Sequence, residues 1–154
     1  MVKPVFSIVL FSLFMLMGCN VKPTVRQIAD NLRIDPTWTE LHPNPPLVVS
    51  EQVQSITLDV PNVSEWDIVP DAASFVRPDG EAIKIEVELV ATDGTSFKLE
   101  SVGLGPGLKF SARPQSEDPR ASRLPSDMSF KTVRFRSDRP IQVGKVTWIC
   151  ITNY

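Results

Sequence analysis

The feature that most constrains this chain is the strict alternation over residues 83–100. Ile83, Ile85, Val87 and Leu89 alternate with Lys84, Glu86 and Glu88, and after Thr92-Asp93-Gly94-Thr95 the pattern resumes as Phe97 and Leu99 against Lys98 and Glu100. A period of two sends successive side chains to opposite faces of an extended chain, so the stretch reads as two half-buried strands around a turn. Asp-Gly between alternating runs is a strong hairpin signal, because a type I′ turn needs φ > 0 at both central residues. The pattern predicts strands over 82–91 and 95–102.

The same period recurs in shorter pieces. Ile56, Leu58 and Val60 alternate with Thr57 and Asp59 up to Pro61, and Val133 and Phe135 alternate with Arg134 and Arg136. Asp138-Arg139-Pro140 then turns the chain into a last strand over 141–152. Fourteen prolines against seven glycines argue the same way. Proline fixes φ and removes a backbone donor, which disfavours long helices and suits short strands, edges and turns. Residues 103–107 read as a glycine-rich turn, and residues 113–127, with Pro114, Pro119 and Pro125, as a long polar loop. Six to eight short strands without a long helix predict an all-β fold of two packed antiparallel sheets, a β-sandwich.

Over residues 130–151, a strand with a polar face precedes a terminal strand holding Val146-Thr147-Trp148-Ile149-Cys150-Ile151. This stretch is similar to jelly-roll domains of the galactose-binding-like kind. The resemblance implies a jelly-roll-like sandwich, and fold alone transfers no activity.

The front of the chain reads differently. Lys3 precedes an uncharged run over 5–17, interrupted only by Ser7 and Ser12, the n-region and h-region of a signal peptide. The run is about 13 residues, whereas a helix needs roughly 20 to cross ~30 Å of hydrocarbon. It is followed by Leu16-Met17-Gly18-Cys19, which resembles the lipobox of bacterial lipoproteins. The resemblance implies cleavage before Cys19, a diacylglyceryl group on its sulfur and a further acyl chain, such as palmitate, on its amino group. Two or more chains hold a protein stably to a membrane where one does not. In that family aspartate after the cysteine marks inner-membrane retention in enteric-type cells. Asn20 stands there instead, which points to the outer membrane, facing the periplasm or the cell surface.

Three segments are therefore expected: a lipoprotein signal peptide over 1–18, a lipidated tether over 19–46, and a β-sandwich domain over 47–154. Pro23, Pro36, Pro43, Pro45 and Pro46 punctuate the tether. Within it Val25, Ile28, Ala29 and Leu32 recur at helical spacing behind Thr24 as an N-cap, which predicts one short helix docked on the domain.

Removing the leader takes away one base, Lys3, and moves the formal charge from −2 to −3. A mildly acidic chain is a poor partner for nucleic acid. Acids dominate up to Leu104 and bases thereafter, and strand pairing is expected to mix the two halves in space. With Cys19 acylated, Cys150 has no partner for a disulfide, and its apolar run suits a buried thiol acting as a small hydrophobe.

Catalytic and metal chemistry lack a foothold in the sequence. His42 is the only histidine, so no His-rich metal site and no Ser-His-Asp arrangement away from the proline-rich segment is available. The glycines of 103–107 lack the Lys-Ser/Thr of a phosphate-binding loop. No catalytic residue, metal ligand or cofactor is assigned. Two features suit binding. Trp66, between Glu65 and Asp67, is a candidate exposed indole for a sugar ring or a protein partner. Arg134 and Arg136 share a strand face and form either a fork for carboxylate or phosphate groups or cross-strand pairs with acids such as Glu86 and Glu88. The expected function is that of a non-enzymatic envelope lipoprotein, held to the membrane by its N-terminal lipid and binding another envelope protein. The alternative is a glycan-binding lipoprotein module.

Overall fold

The computed structural model describes residues 24–49, 53–69, 74–112, 124–125 and 127–151. The expected leader, Cys19 and most of the polar loop over 113–127 lie outside the described residues. Among those described, the strands in chain order are β1 (Thr24–Ile34), β2 (Thr39–Leu41), β3 (Leu47–Val48), β4 (Val53–Leu58), β5 (Asp67–Val69), β6 (Ser74–Val76), β7 (Ala82–Ala91), β8 (Ser96–Leu104), β9 (Leu108–Ser111), β10 (Ser129–Ser137) and β11 (Ile141–Ile151). A 3-10 turn spans Val63–Glu65. No helix among the described residues is long and apolar enough to cross a membrane.

Pairing is antiparallel throughout, in the order β1-β11-β4-β9-β8-β7-β10-β2. The sheet folds over at β8, whose first half pairs with β7 and whose second half pairs with β9. A register shift between Ser101 and Gly103 sits at this corner, where an extra residue bends the strand. One layer is thus β1, β11, β4 and β9. The other is β7 and β10, with β2 and β3 sharing the far edge of β10 and the β5–β6 hairpin extending the start of β7. At the opposite corner the chain leaving β1 meets the end of β10, where the Ser137 amide donates to the Asp35 carbonyl at 3.0 Å. The result is an all-β sandwich whose sheet nearly closes on itself.

The inward faces follow the sequence alternation. Ile83, Val87, Leu89, Val133 and Phe135 of one layer and Ile56, Leu58, Phe110 and Val146 of the other are fully buried. Aromatic rings set edge to face tie the core together: Phe130 meets Trp148 at 6.4 Å, and Phe75 meets Phe110 at 5.6 Å. Cys150 is buried, its thiol directed at the Val48 carbonyl, as expected for a small hydrophobe.

The hairpin strands fall at 82–91 and 96–104, but the turn is not of the expected type. Gly94 has φ 91°, while Asp93 is not among the residues with positive φ. The Gly94 amide donates to the Ala91 carbonyl and the Ala91 amide to the Thr95 carbonyl. This is a type I turn closed by a left-handed glycine, a three-residue loop. The Asp93 carboxylate accepts from the Thr95 amide at 2.8 Å, a side-chain bond that favours negative φ at Asp93. The β6–β7 turn repeats the device with Asp79 and Gly80.

The short helix predicted over 24–32 is corrected: Thr24–Ile34 is a strand, paired along its length with β11. The register slips by one residue between Gln27 and Ala29, and Asn31 has φ 52°. The bulge and the left-handed residue each break the two-residue period, so Ile28, Ala29 and Leu32 all turn toward the core although their spacing is helical. Among the described residues the β-structure therefore starts with Thr24, well ahead of Leu47. Residues assigned to the tether form an edge strand of one layer and, in β2, an edge of the other.

Candidate functional site

The outward face of the second layer carries the polar half of each alternation. On β7 and β10, Arg134 stands opposite Glu88 and Arg136 opposite Glu86. On β8, Lys98 stands opposite Glu88, and on β2, Glu40 stands opposite Arg134. Register alone thus interleaves bases and acids across four strands.

The side chains complete the lattice. Arg134 donates through Nε at 2.8 Å and a terminal nitrogen at 2.5 Å to the same oxygen of Glu88. Arg136 donates through Nε to Glu86, and Lys98 reaches diagonally to the other Glu86 oxygen at 3.1 Å. The Arg136 hydrogen bond holds the Glu86 carboxyl below the ordinary glutamate range against the opposing effect of burial, and Lys98 adds to the lowering. The same bond raises Arg136. Of the two roles open to these arginines, cross-strand pairing is the one the geometry displays. It also joins the acidic first half of the chain to the basic second half, as does the Arg139–Glu81 pair at 2.8 Å.

One aromatic residue completes the face. Trp38, half-buried just before β2, lies 4.7 Å from the Arg134 guanidinium and 4.6 Å from that of Arg136, measured to the ring centroid. Both are cation–π contacts. Beside it, His42 Nδ1 is 3.2 Å from the Thr132 hydroxyl and Nε2 is 3.7 Å from Glu40. The arrangement is a contiguous patch with an indole, two guanidiniums and their counter-charges. It suits a surface that recognises another surface, since Trp and Arg are the residues that concentrate binding energy at interfaces.

The other candidate lies elsewhere and is corrected. Trp66 is 6% exposed, and its Nε1 donates to the Pro61 carbonyl at 3.1 Å. The indole is a core side chain with its one donor satisfied internally, so it offers no face to a sugar ring. Its polar neighbours misled because Trp66 sits between the 3-10 turn and β5, where Glu65 and Asp67 face solvent while the indole turns inward. Trp38 was missed because its value comes from a pairing between β2 and β10 that local sequence does not disclose. Trp38-Thr39-Glu40-Leu41 has no apolar–polar alternation, so no local period marked it. Cys19 lies outside the described residues. No group of three or more potential metal ligands occurs among the described residues.

Comparison of the chain with protein-family models, with curated proteins and with solved structures returns no match.

Proposed function

We propose that the protein is a membrane-anchored, non-enzymatic envelope lipoprotein whose domain binds another envelope protein through the outer face of its second layer. The observation that carries the reading is the patch built by Trp38, Arg134 and Arg136 over Glu86 and Glu88. Its guanidiniums are held in place before any partner arrives, so little side-chain entropy remains to be lost on docking. The anchor is the lipid on Cys19, on the strength of Leu16-Met17-Gly18-Cys19, and the location is the cell envelope, at the outer membrane. The glycan-binding alternative loses its assigned residue with the burial of Trp66.

Photo-crosslinking in intact cells tests the proposal. A crosslinker at Glu40, on the patch, should yield one discrete adduct with an envelope protein, and that adduct should weaken in Trp38→Ala. A crosslinker at Lys109, on the outer face of the other layer, should not yield it. Bare monomer from Glu40, or an adduct indifferent to Trp38, would count against the patch.

A further inference from the structure

The outer face of the first layer changes character along its strands. Nearest the start of β1, Val25 stands opposite Ile149, and Ile151 stands opposite Val53. Partners directly opposite share a face, as do residues two apart on a strand, so these four β-branched side chains form one patch. Val25 is 60% exposed and the other three are half-buried. One step further along lies the row Gln27, Thr147, Thr57 and Lys109, and beyond it the pair Asp30 and Lys145. Along β1 and its neighbour β11 the face thus passes from β-branched apolar side chains at the Thr24 end to polar and charged ones beyond. At the same end, on the edge of the other layer, Val48 is 49% exposed. Its carbonyl receives the Cys150 thiol, and Cys150 in turn pairs with Thr24. Two of the three most exposed large apolar side chains of the described residues therefore gather at one end of the sandwich.

That end is also where the chain departs toward Cys19. Five residue steps separate Cys19 from Thr24, which span at most about 17 Å when fully extended. A lipid on Cys19 therefore keeps the start of β1 close to the bilayer. Strand rows two residues apart are separated by about 7 Å, and surface-lying apolar faces enter a bilayer by roughly 5–10 Å. The depth of the apolar band matches that of the interface.

We infer that the Thr24 end of the sandwich is a bilayer-contacting surface, with Val25, Val48 and the β-branched residues beside Val25 set against the headgroup region of the membrane that holds the Cys19 lipid. The inference rests on the lipid anchor proposed above. It orients the domain: the turns at Arg77–Glu81 and Asp138–Pro140 point away from the membrane, and the Trp38 patch stands on the side wall. The contact adds to the anchor by holding the domain upright, so that the patch is presented in a constant direction.

The experiment uses the processed, acylated protein in vesicles of phosphatidylethanolamine and phosphatidylglycerol containing a lipid with a nitroxide on its headgroup. Single fluorophores are placed through Val25→Cys, Val48→Cys, Asp79→Cys or Arg139→Cys, and buried Cys150 remains unlabelled. Labels at 25 and 48 should be quenched severalfold more than those at 79 and 139. Equal quenching at all four sites would overturn the orientation. Val25→Asp should reduce quenching of the label at 48; if it does not, a short leash alone explains the proximity and the contact is refuted. Intact-mass analysis of the mature N-terminus separates the two levels, because a Cys19 without acyl groups removes the anchor itself, whereas an acylated protein with unquenched labels removes only the contact.

Discussion

The stacking of Trp38 on Arg134 can be measured as a coupling. Trp38→Ala removes about half of a tryptophan's buried area, on the order of 100 Å², or about 2.5 kcal/mol at ~25 cal/mol per Å². The Arg134 contact at 4.7 Å adds about 0.5–1 kcal/mol, the range for cation–π pairs at exposed sites. The Arg136 contact, on a more exposed guanidinium, adds less. A single substitution would confound burial with cation–π attraction, so the informative construction is a double-mutant cycle of Trp38→Leu and Arg134→Met. Arg134→Met strands Glu88 in both arms of the cycle, so that penalty cancels. Urea unfolding of the Cys19→Ser chain, followed by the fluorescence of Trp66 and Trp148, supplies the four free energies. The expected coupling is about 0.5–1 kcal/mol. A coupling indistinguishable from zero would refute the claim that the indole and guanidinium support each other, and with it the preorganisation on which the proposed interface depends.

Glu86→Gln should lower stability at neutral pH. Because the folded carboxyl is held below its ordinary value, its contribution is present above the ordinary glutamate range and is lost as pH falls through the lowered value; the gap between wild type and variant in thermal midpoint should close in acid, and a gap that widens there would contradict the assignment. Gly107→Ala should cost about 1–3 kcal/mol, because a Cβ there would sit 2.4 Å from the Leu58 carbonyl oxygen; an unchanged urea midpoint would refute the close approach. Phe110→Ala, at a fully buried ring in contact with Phe75, should cost about 3–5 kcal/mol, read as a fall in the same midpoint. The Cys150 thiol should resist an aqueous thiol reagent in the native protein and react on unfolding, and rapid native labelling would show that β11 is not packed as described.

How much of this was legible in the chain depends on whether the information is local. Ile83 to Leu99 announced their strands because each residue's face is settled by its immediate neighbours, and the same holds for Val133 and Phe135. β1 was misread because the inward spacing of Ile28, Ala29 and Leu32 is what a bulge and a left-handed asparagine produce in a strand, and a helix produces it without either; Val25, counted with them, faces outward. Deciding between them requires knowing that β11 lies alongside, more than a hundred residues later. Arg134 and Arg136 were recognised as a pair, and Glu86 and Glu88 as possible partners, because alternation places them on outward faces. The register that joins them, and the position of Trp38 above them, are tertiary facts. Trp66 failed for a related reason: an indole N–H satisfied by a nearby carbonyl lets a tryptophan be buried among polar neighbours in sequence.

The pairing of β1 with β11 has a consequence in time. The first layer takes its edge strand from the beginning of the domain and its neighbour from the end, so no part of that layer beyond β4 and β9 can assemble until the last strand is present. Contacts of such wide sequence separation close slowly, since the loop must be formed before any pairing rewards it. A chain still being synthesised, with residues 141–151 not yet added, lacks the partner for β1 and for one edge of β4. The topology that delays its closure makes β11 the strand that completes the first layer.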